Sequence, residues 1–119
     1  MERKHHNLIA WQKSMDMVKE VYLLTTAFPK HEIYCLTHQM RKSVISIPSN
    51  IAEGAARTSP REFLNFLSIA RGSLSELETQ IIISKQLGYL QDDQKIKEMT
   101  DEVFALLGGL INALQKRRD

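Results

Sequence analysis

Ser46-Ile47-Pro48-Ser49-Asn50-Ile51-Ala52-Glu53-Gly54 sits inside what otherwise scans as one long amphipathic helix. Ile33, Leu36, Met40, Val44, Ile47 and Ile51 recur at helical intervals on both sides of Pro48, so the stretch predicts a helix from about Ile33 to Ala52. An interior proline removes one backbone hydrogen bond and crowds the preceding turn, at a cost of ~3 kcal/mol. A chain that keeps Pro48 there, together with a row of polar side chains, is using them. The row is Gln39, Ser43, Ser46, Asn50 and Glu53, at heptad-like spacing beside the apolar stripe. Gly54 follows as the expected C-terminal cap, in the left-handed conformation that glycine adopts without penalty.

Working outward, three more helices are legible. In the first, Trp11, Met15, Val18, Tyr22 and Thr25 form one apolar face, and Met17, Val21, Leu24 and Phe28 widen it. Asn7 is its expected N-cap and Phe28-Pro29 its expected stop. The third helix opens on Ser59-Pro60-Arg61-Glu62, a capping box with proline at the first helical position. Phe63, Leu67, Ala70, Leu74, Leu77 and Ile81 make its core stripe, and it ends near Leu87-Gly88. The fourth starts at Asp92 or Asp93 and carries Ile96, Met99, Val103, Leu106, Leu110 and Leu114. Gly108-Gly109 weakens that helix unless another backbone approaches closely. Short connections between four helices predict an all-α, antiparallel up-down-up-down bundle, with residues 1–119 as a single domain.

An antiparallel second and third helix bring polar residues together. Ser46 is expected near Ser68, Ser43 near Gly72, and Gln39 near Ser75 and Glu76, with Ser73 on the same seam. A buried Glu53 or Glu76 would need a cationic partner, for which Arg41, Arg57 and Arg71 are the candidates. Such a seam can be a pocket. Polar networks more often set register or line a subunit contact, and that is the reading taken for Gln39, Ser43, Ser46, Asn50, Glu53, Ser73 and Glu76.

Chemistry-bearing motifs are missing. His5, His6, His31 and His38 lack carboxylates at metal-site spacing, so no metal is expected. There is no glycine-rich phosphate loop, G-x-S-x-G, CxxC or HExxH, and no cofactor is expected. The reading is therefore of a protein that is not an enzyme. The lone Cys35 is expected to be buried, and its being alone points to a reducing cytoplasm. No apolar run reaches the ~20 residues of a membrane span, and no membrane partner is expected.

Charge is uneven. Residues 1–61 carry nine Lys and Arg against five Asp and Glu, whereas residues 62–119 carry seven against nine. Candidate nucleic-acid contacts are Lys13, Arg41, Lys42, Arg57, Arg61 and the tail Lys116, Arg117 and Arg118, with Arg3 and Lys4 nearby in sequence. Oligomerisation would multiply such a modest basic surface.

Several strings together resemble a known family. They are Leu8-x-x-Trp11-Gln12-Lys13, Glu32-x-Tyr34-x-Leu36-Thr37-x-Gln39-x-Arg41, Ser46 through Gly54, the run from Phe63 to Thr79, and Leu87-Gly88-Tyr89-Leu90. The chain resembles the bacterial four-helix-bundle proteins encoded within 23S rRNA intervening sequences, also labelled S23 ribosomal proteins. Lys42-Ser43 departs from the Arg-Ala often found there, which keeps the charge and places a hydroxyl on the seam. The resemblance implies an antiparallel bundle assembled as a ring-like homopentamer. It also implies a likeness to the accessory protein of diversity-generating retroelements, a basic bundle that associates with a reverse transcriptase and nucleic acid. The expectation is a homo-oligomeric, non-enzymatic RNA-binding accessory protein. The alternative is a protein–protein scaffold with no nucleic-acid role.

Overall fold

The computed structural model describes residues 2–118, with side chains through Arg117. Among these residues there are four α-helices and no strand: α1 (Ile9–Thr26), α2 (Leu36–Ala55), α3 (Pro60–Gln86) and α4 (Gln94–Arg118). Short 3-10 turns at Lys4–Asn7 and Lys30–Glu32 precede α1 and α2. The chain is all-α, and its buried apolar residues, drawn from all four helices, form one cluster.

The ends of α3 follow the sequence signals. Ser59 Oγ accepts from the Glu62 amide at 3.2 Å, and Pro60 takes the first turn, where its missing N–H costs nothing. At the far end Gly88 has φ +79°, which glycine tolerates without a Cβ clash. The Tyr89 amide then bonds Ser84 O at 2.9 Å and the Gly88 amide bonds Lys85 O at 3.0 Å, the pattern of a Schellman cap. All six residues of the predicted α3 stripe are buried.

Helix α2 differs at both ends. Pro29 is followed by a 3-10 turn, so α2 begins at Leu36 and leaves Ile33 exposed ahead of it. Glu32 Oε1 accepts from the Leu36 amide at 3.3 Å and so serves the first turn of the helix. Cys35 is exposed at this junction rather than buried. At the other end α2 runs through Gly54 to Ala55, and Gly54 is not a left-handed cap. A Cβ at Gly54 would lie 2.7 Å from Phe66 Cβ and 2.9 Å from Phe63 Cδ1. The glycine is there because α3 packs directly onto it. Pro48 is buried within the continuous helix.

The core stripes of α1 and α4 are rotated from those expected. In α1 the buried residues are Ala10, Ser14, Met17, Val21 and Thr25, while Met15 and Tyr22 are exposed and Trp11 and Val18 half-buried. The wider apolar surface read from sequence contained both the core side and its outer flank. Asn7 lies in the 3-10 turn and makes no cap; Leu8 holds the N-cap position. In α4, Ile96, Thr100, Val103, Leu107, Ile111 and Leu114 are buried, and Met99, Leu106 and Leu110 only flank the core. Nothing lies within 4 Å of a Cβ placed at Gly108 or Gly109, so no backbone approaches them.

The α2–α3 seam is shifted from the expected register by more than a helical turn. Ser43 Oγ donates to Glu76 Oε1 at 2.6 Å, and Ser46 Oγ meets Ser73 Oγ at 2.8 Å. Ser68, the expected partner of Ser46, is exposed, as is Gln39. The simple pairing across the turn assumed that α2 ended before Gly54. Gly54 instead packs into α3 at Phe63 and Phe66. Neither expected carboxylate is buried. Glu76 is exposed, and Glu53 turns outward to Arg57 at 3.4 Å along its own helix.

Candidate nucleic-acid interface

Helix α2 carries no carboxylate from Leu36 to Ala52, and none lies in the three residues that precede it. His38, Arg41, Lys42 and Ile45 follow one another on the side of α2 turned away from its buried Met40, Val44 and Ile47, with Tyr34 in the turn just before the helix. Beside the exposed ring of Tyr22 on α1 they line an open concavity of ≈ 500 Å³. Ile33 and Thr37 complete the wall, and no acidic residue lines it.

Arg41 is held in place. Its guanidinium lies over the Tyr22 ring, 4.5 Å from the centroid. Its Nε donates to Thr25 Oγ1 at 2.9 Å. Thr25 sends its own proton to Val21 O at 2.7 Å, which leaves an oxygen lone pair for Arg41. The threonine is buried, so its position is set by core packing. Among the described residues, neither Arg41 nor Lys42 forms an ion pair. Arg41 also borders a neighbouring hollow that reaches Lys30, again without an acidic wall. Tyr34 is 89 % exposed and its ring is open to solvent.

The turn that carries Tyr34 is anchored on its other side. The Tyr89 hydroxyl donates to Glu32 Oε2 at 2.8 Å, and the Tyr89 ring packs on Phe28 with centroids 5.5 Å apart. The Tyr89 hydrogen bond, then the Leu36 amide, hold the Glu32 carboxyl below the usual carboxylate range. The same hydrogen bond pushes the Tyr89 phenol up. The carboxylate next to Ile33 in sequence is thus committed elsewhere.

The other basic candidates lie apart. Lys13 on α1 is 4.0 Å from Glu102 on α4. Arg57 pairs with Glu53 and covers the Phe66 ring at 4.9 Å. Arg61 is exposed on the first turn of α3, and Lys4 lies over Phe63 at 5.3 Å. Lys116 and Arg117 are exposed near the end of α4; the Arg118 side chain lies outside the described residues. Arg41 and Lys42, in contrast, share one hollow with the exposed Tyr22 and Tyr34. The seam residues Ser43, Ser46 and Asn50 bond within the seam, the Asn50 amide reaching Ser46 O at 2.8 Å and Ser46 Oγ at 2.9 Å.

Sequence reasoning missed Tyr22, Tyr34, His38 and Ile45. Its apolar spacing puts Tyr22 on the α1 core face, and Ile33 falls on the α2 stripe. The signal was present as the long carboxylate-free run, which a charge count over half the chain averages away.

The profile of one protein family, described as 23S rRNA-intervening sequence protein, matches residues 6–109. The chain belongs to this family. The match spans α1, α2 and α3 and ends within α4, so this family member carries the whole concavity and the whole α2–α3 seam inside the matched region. No individually curated protein matches the chain. Among the described residues, no helix is long and apolar enough to cross a membrane, and no three His, Cys, Asp or Glu side chains gather as a metal site.

Proposed function

We propose that the protein is a non-enzymatic, homo-oligomeric bundle that binds RNA in the cytoplasm as an accessory to a ribonucleoprotein. The observation that carries this reading is the concavity in which a pre-positioned Arg41 and an unpaired Lys42 stand beside Tyr22 and Tyr34 with no carboxylate in the wall. Cations without a carboxylate partner leave water and counterions, not a protein anion, to be displaced by phosphate. Family membership gives the reading its rRNA context.

An antiparallel up-down-up-down arrangement is supported by paired residues. Ser43 and Ser46 on α2 meet Glu76 and Ser73 on α3, in reverse order. Lys95 at the start of α4 pairs with Glu20 late in α1, and Glu102 farther on pairs with the earlier Lys13. Self-association is supported by α3 and its C-cap, where Ile69, Ile83 and Leu87 are exposed along one side next to the seam. A ring of such protomers, the homopentamer that the resemblance implies, would repeat the concavity and raise the local density of cations.

A scaffold without nucleic-acid function is favoured by a different feature, the apolar hollow formed by Leu8, Ala10, Leu106 and Leu110 beside the exposed Ile9. Size-exclusion chromatography with light scattering, run with and without an rRNA fragment at low and moderate salt, separates the two. The RNA reading expects a closed oligomer that binds the fragment and releases it as salt rises. An oligomer indifferent to RNA at low salt overturns it in favour of the scaffold.

A further inference from the structure

The geometry points to an unpaired nucleotide as the form of RNA that the α1–α2 concavity takes, its base stacking on Tyr34 and its phosphate meeting Arg41 and Lys42. This rests on the RNA-binding reading above and narrows it to a chemical class.

Three observations support the choice. The first is the exposed aromatic surface. Tyr34 is 89 % exposed and Ile33 51 %, and Tyr22 and Ile45 are exposed around the same hollow. An A-form duplex buries its base faces and offers phosphates and ribose edges, which cations alone can hold. An open tyrosine ring among cations is instead suited to a splayed base, because every base has a π-face. The second is the state of Arg41. Its guanidinium is fixed by Tyr22 on one face and by Thr25 at Nε, which leaves its outer edge for an anion at little further entropic cost. The third is size and charge. A hollow of ≈ 500 Å³ lies within the ~300–1,000 Å³ range of small-ligand sites, and no acidic residue lines it to repel a phosphate.

Other regions carry less. At the end of the bundle with Lys4 and Arg57, Lys4 lies over Phe63, and Arg57 lies over Phe66 and pairs with Glu53. Among the described residues the Oε1 atom of buried Gln80 lacks a partner, but it does not line the concavity.

The test is fluorescence anisotropy with a labelled mixed-sequence RNA of about 12 nucleotides, a length that such grooves cover, alone or annealed to its complement. Wild type, Tyr34→Ala, Tyr34→Phe and Lys42→Ala are compared across a salt series. The expected result is tighter binding of the single strand than of the duplex. Tyr34→Ala should weaken single-strand binding about five- to hundredfold, the loss of one stacked base, with the salt slope unchanged. Tyr34→Phe should stay within about twofold of wild type, because it keeps the ring. Lys42→Ala should instead lower the slope by about one phosphate contact. Equal binding of duplex and single strand, or a Tyr34→Ala variant that binds like wild type with salt dependence intact, overturns the unpaired-nucleotide inference and leaves RNA binding standing. No binding of either form at low salt overturns both. A change in oligomer mass on Tyr34→Ala, read by light scattering, would make the hollow a subunit contact and also overturn the inference.

Discussion

Two sides of α2 handle polar residues in opposite ways. On the side toward α3, Ser43, Ser46 and Asn50 find partners inside the molecule, at Glu76, Ser73 and within the seam itself. On the side next to α1, His38 and Lys42 line an open hollow, and Arg41 is fixed in place but pairs with no carboxylate among the described residues. The first arrangement satisfies hydrogen-bonding groups and so sets which residues of the two helices meet. The second leaves charge for something outside the chain. The same helix therefore specifies the fold with short polar side chains and offers a surface with long cationic ones.

The largest effect expected from breaking this division is at Gly54, where α3 packs directly onto α2. Gly54→Ala should destabilise the protein by about 1–3 kcal/mol, because the new methyl meets Phe66 Cβ and Phe63 Cδ1 below 3 Å. Gly109→Ala is the control: its Cβ meets nothing within 4 Å, and it should stabilise α4 by about 0.5–1 kcal/mol. Urea denaturation of both variants checks the pair, and shifts of the same sign would remove close packing as the reason for Gly54.

A smaller loss should follow from opening the seam. Ser46→Ala removes the Ser73 contact and one of the two acceptors of Asn50, at an expected cost of about 0.5–1.5 kcal/mol. Glu53→Leu, at the outward end of the same stripe, loses only an exposed ion pair with Arg57 and should change stability by about 0.5 kcal/mol or less. Equal midpoints for the two variants would show that the seam hydrogen bonds do not set stability.

On the other side of α2, Lys42→Ala should leave stability within about 0.5 kcal/mol of wild type, since the lysine forms no ion pair among the described residues. A clear destabilisation, measured by the same titration, would mean that the two sides do not differ in kind.

The smallest effect concerns the anchor behind the hollow. Glu32 has a depressed pKa in the folded protein, so the unfolded state binds its proton first as pH falls. Its contribution is complete above the ordinary carboxylate range and is lost as pH drops through the depressed value. Tyr89 is raised, so its contribution is complete below the ordinary phenol range and is lost as pH climbs through the raised value. Tyr89→Phe should flatten both limbs of the stability profile, and thermal melts from acid to alkaline pH would show whether they persist.

How far the sequence could be read depended on whether a signal was local. The α3 boundaries were legible because Ser59-Pro60 and Gly88 satisfy or bend their own backbone and need no distant partner. Its stripe was legible because only one of its faces is continuously apolar. In α1, two adjacent stripes compete, and Met17 and Val21 are buried rather than Met15 and Tyr22 because of where α2 and α4 lie. Gly54 looked like a cap because glycine favours both left-handed backbone and close packing, and only Phe63 and Phe66 distinguish them.

The candidate site divides in the same way. Arg41 and Lys42 were legible as candidate nucleic-acid contacts on α2. Tyr22 and Tyr34 were not, because one is contributed by another helix and the other by a turn whose position depends on Glu32 and Tyr89.

By itself the sequence determined the helical class, the family, the four helices in order and the caps of α3, all of which follow from spacing and local backbone chemistry. Only the tertiary structure decided which stripe of α1 is buried, that Ser46 meets Ser73, and that Arg41 is held between Thr25 and Tyr22. These depend on contacts between residues far apart in the chain. Such contacts are set by how side-chain volumes fill the space between helices, which no periodicity within one helix encodes.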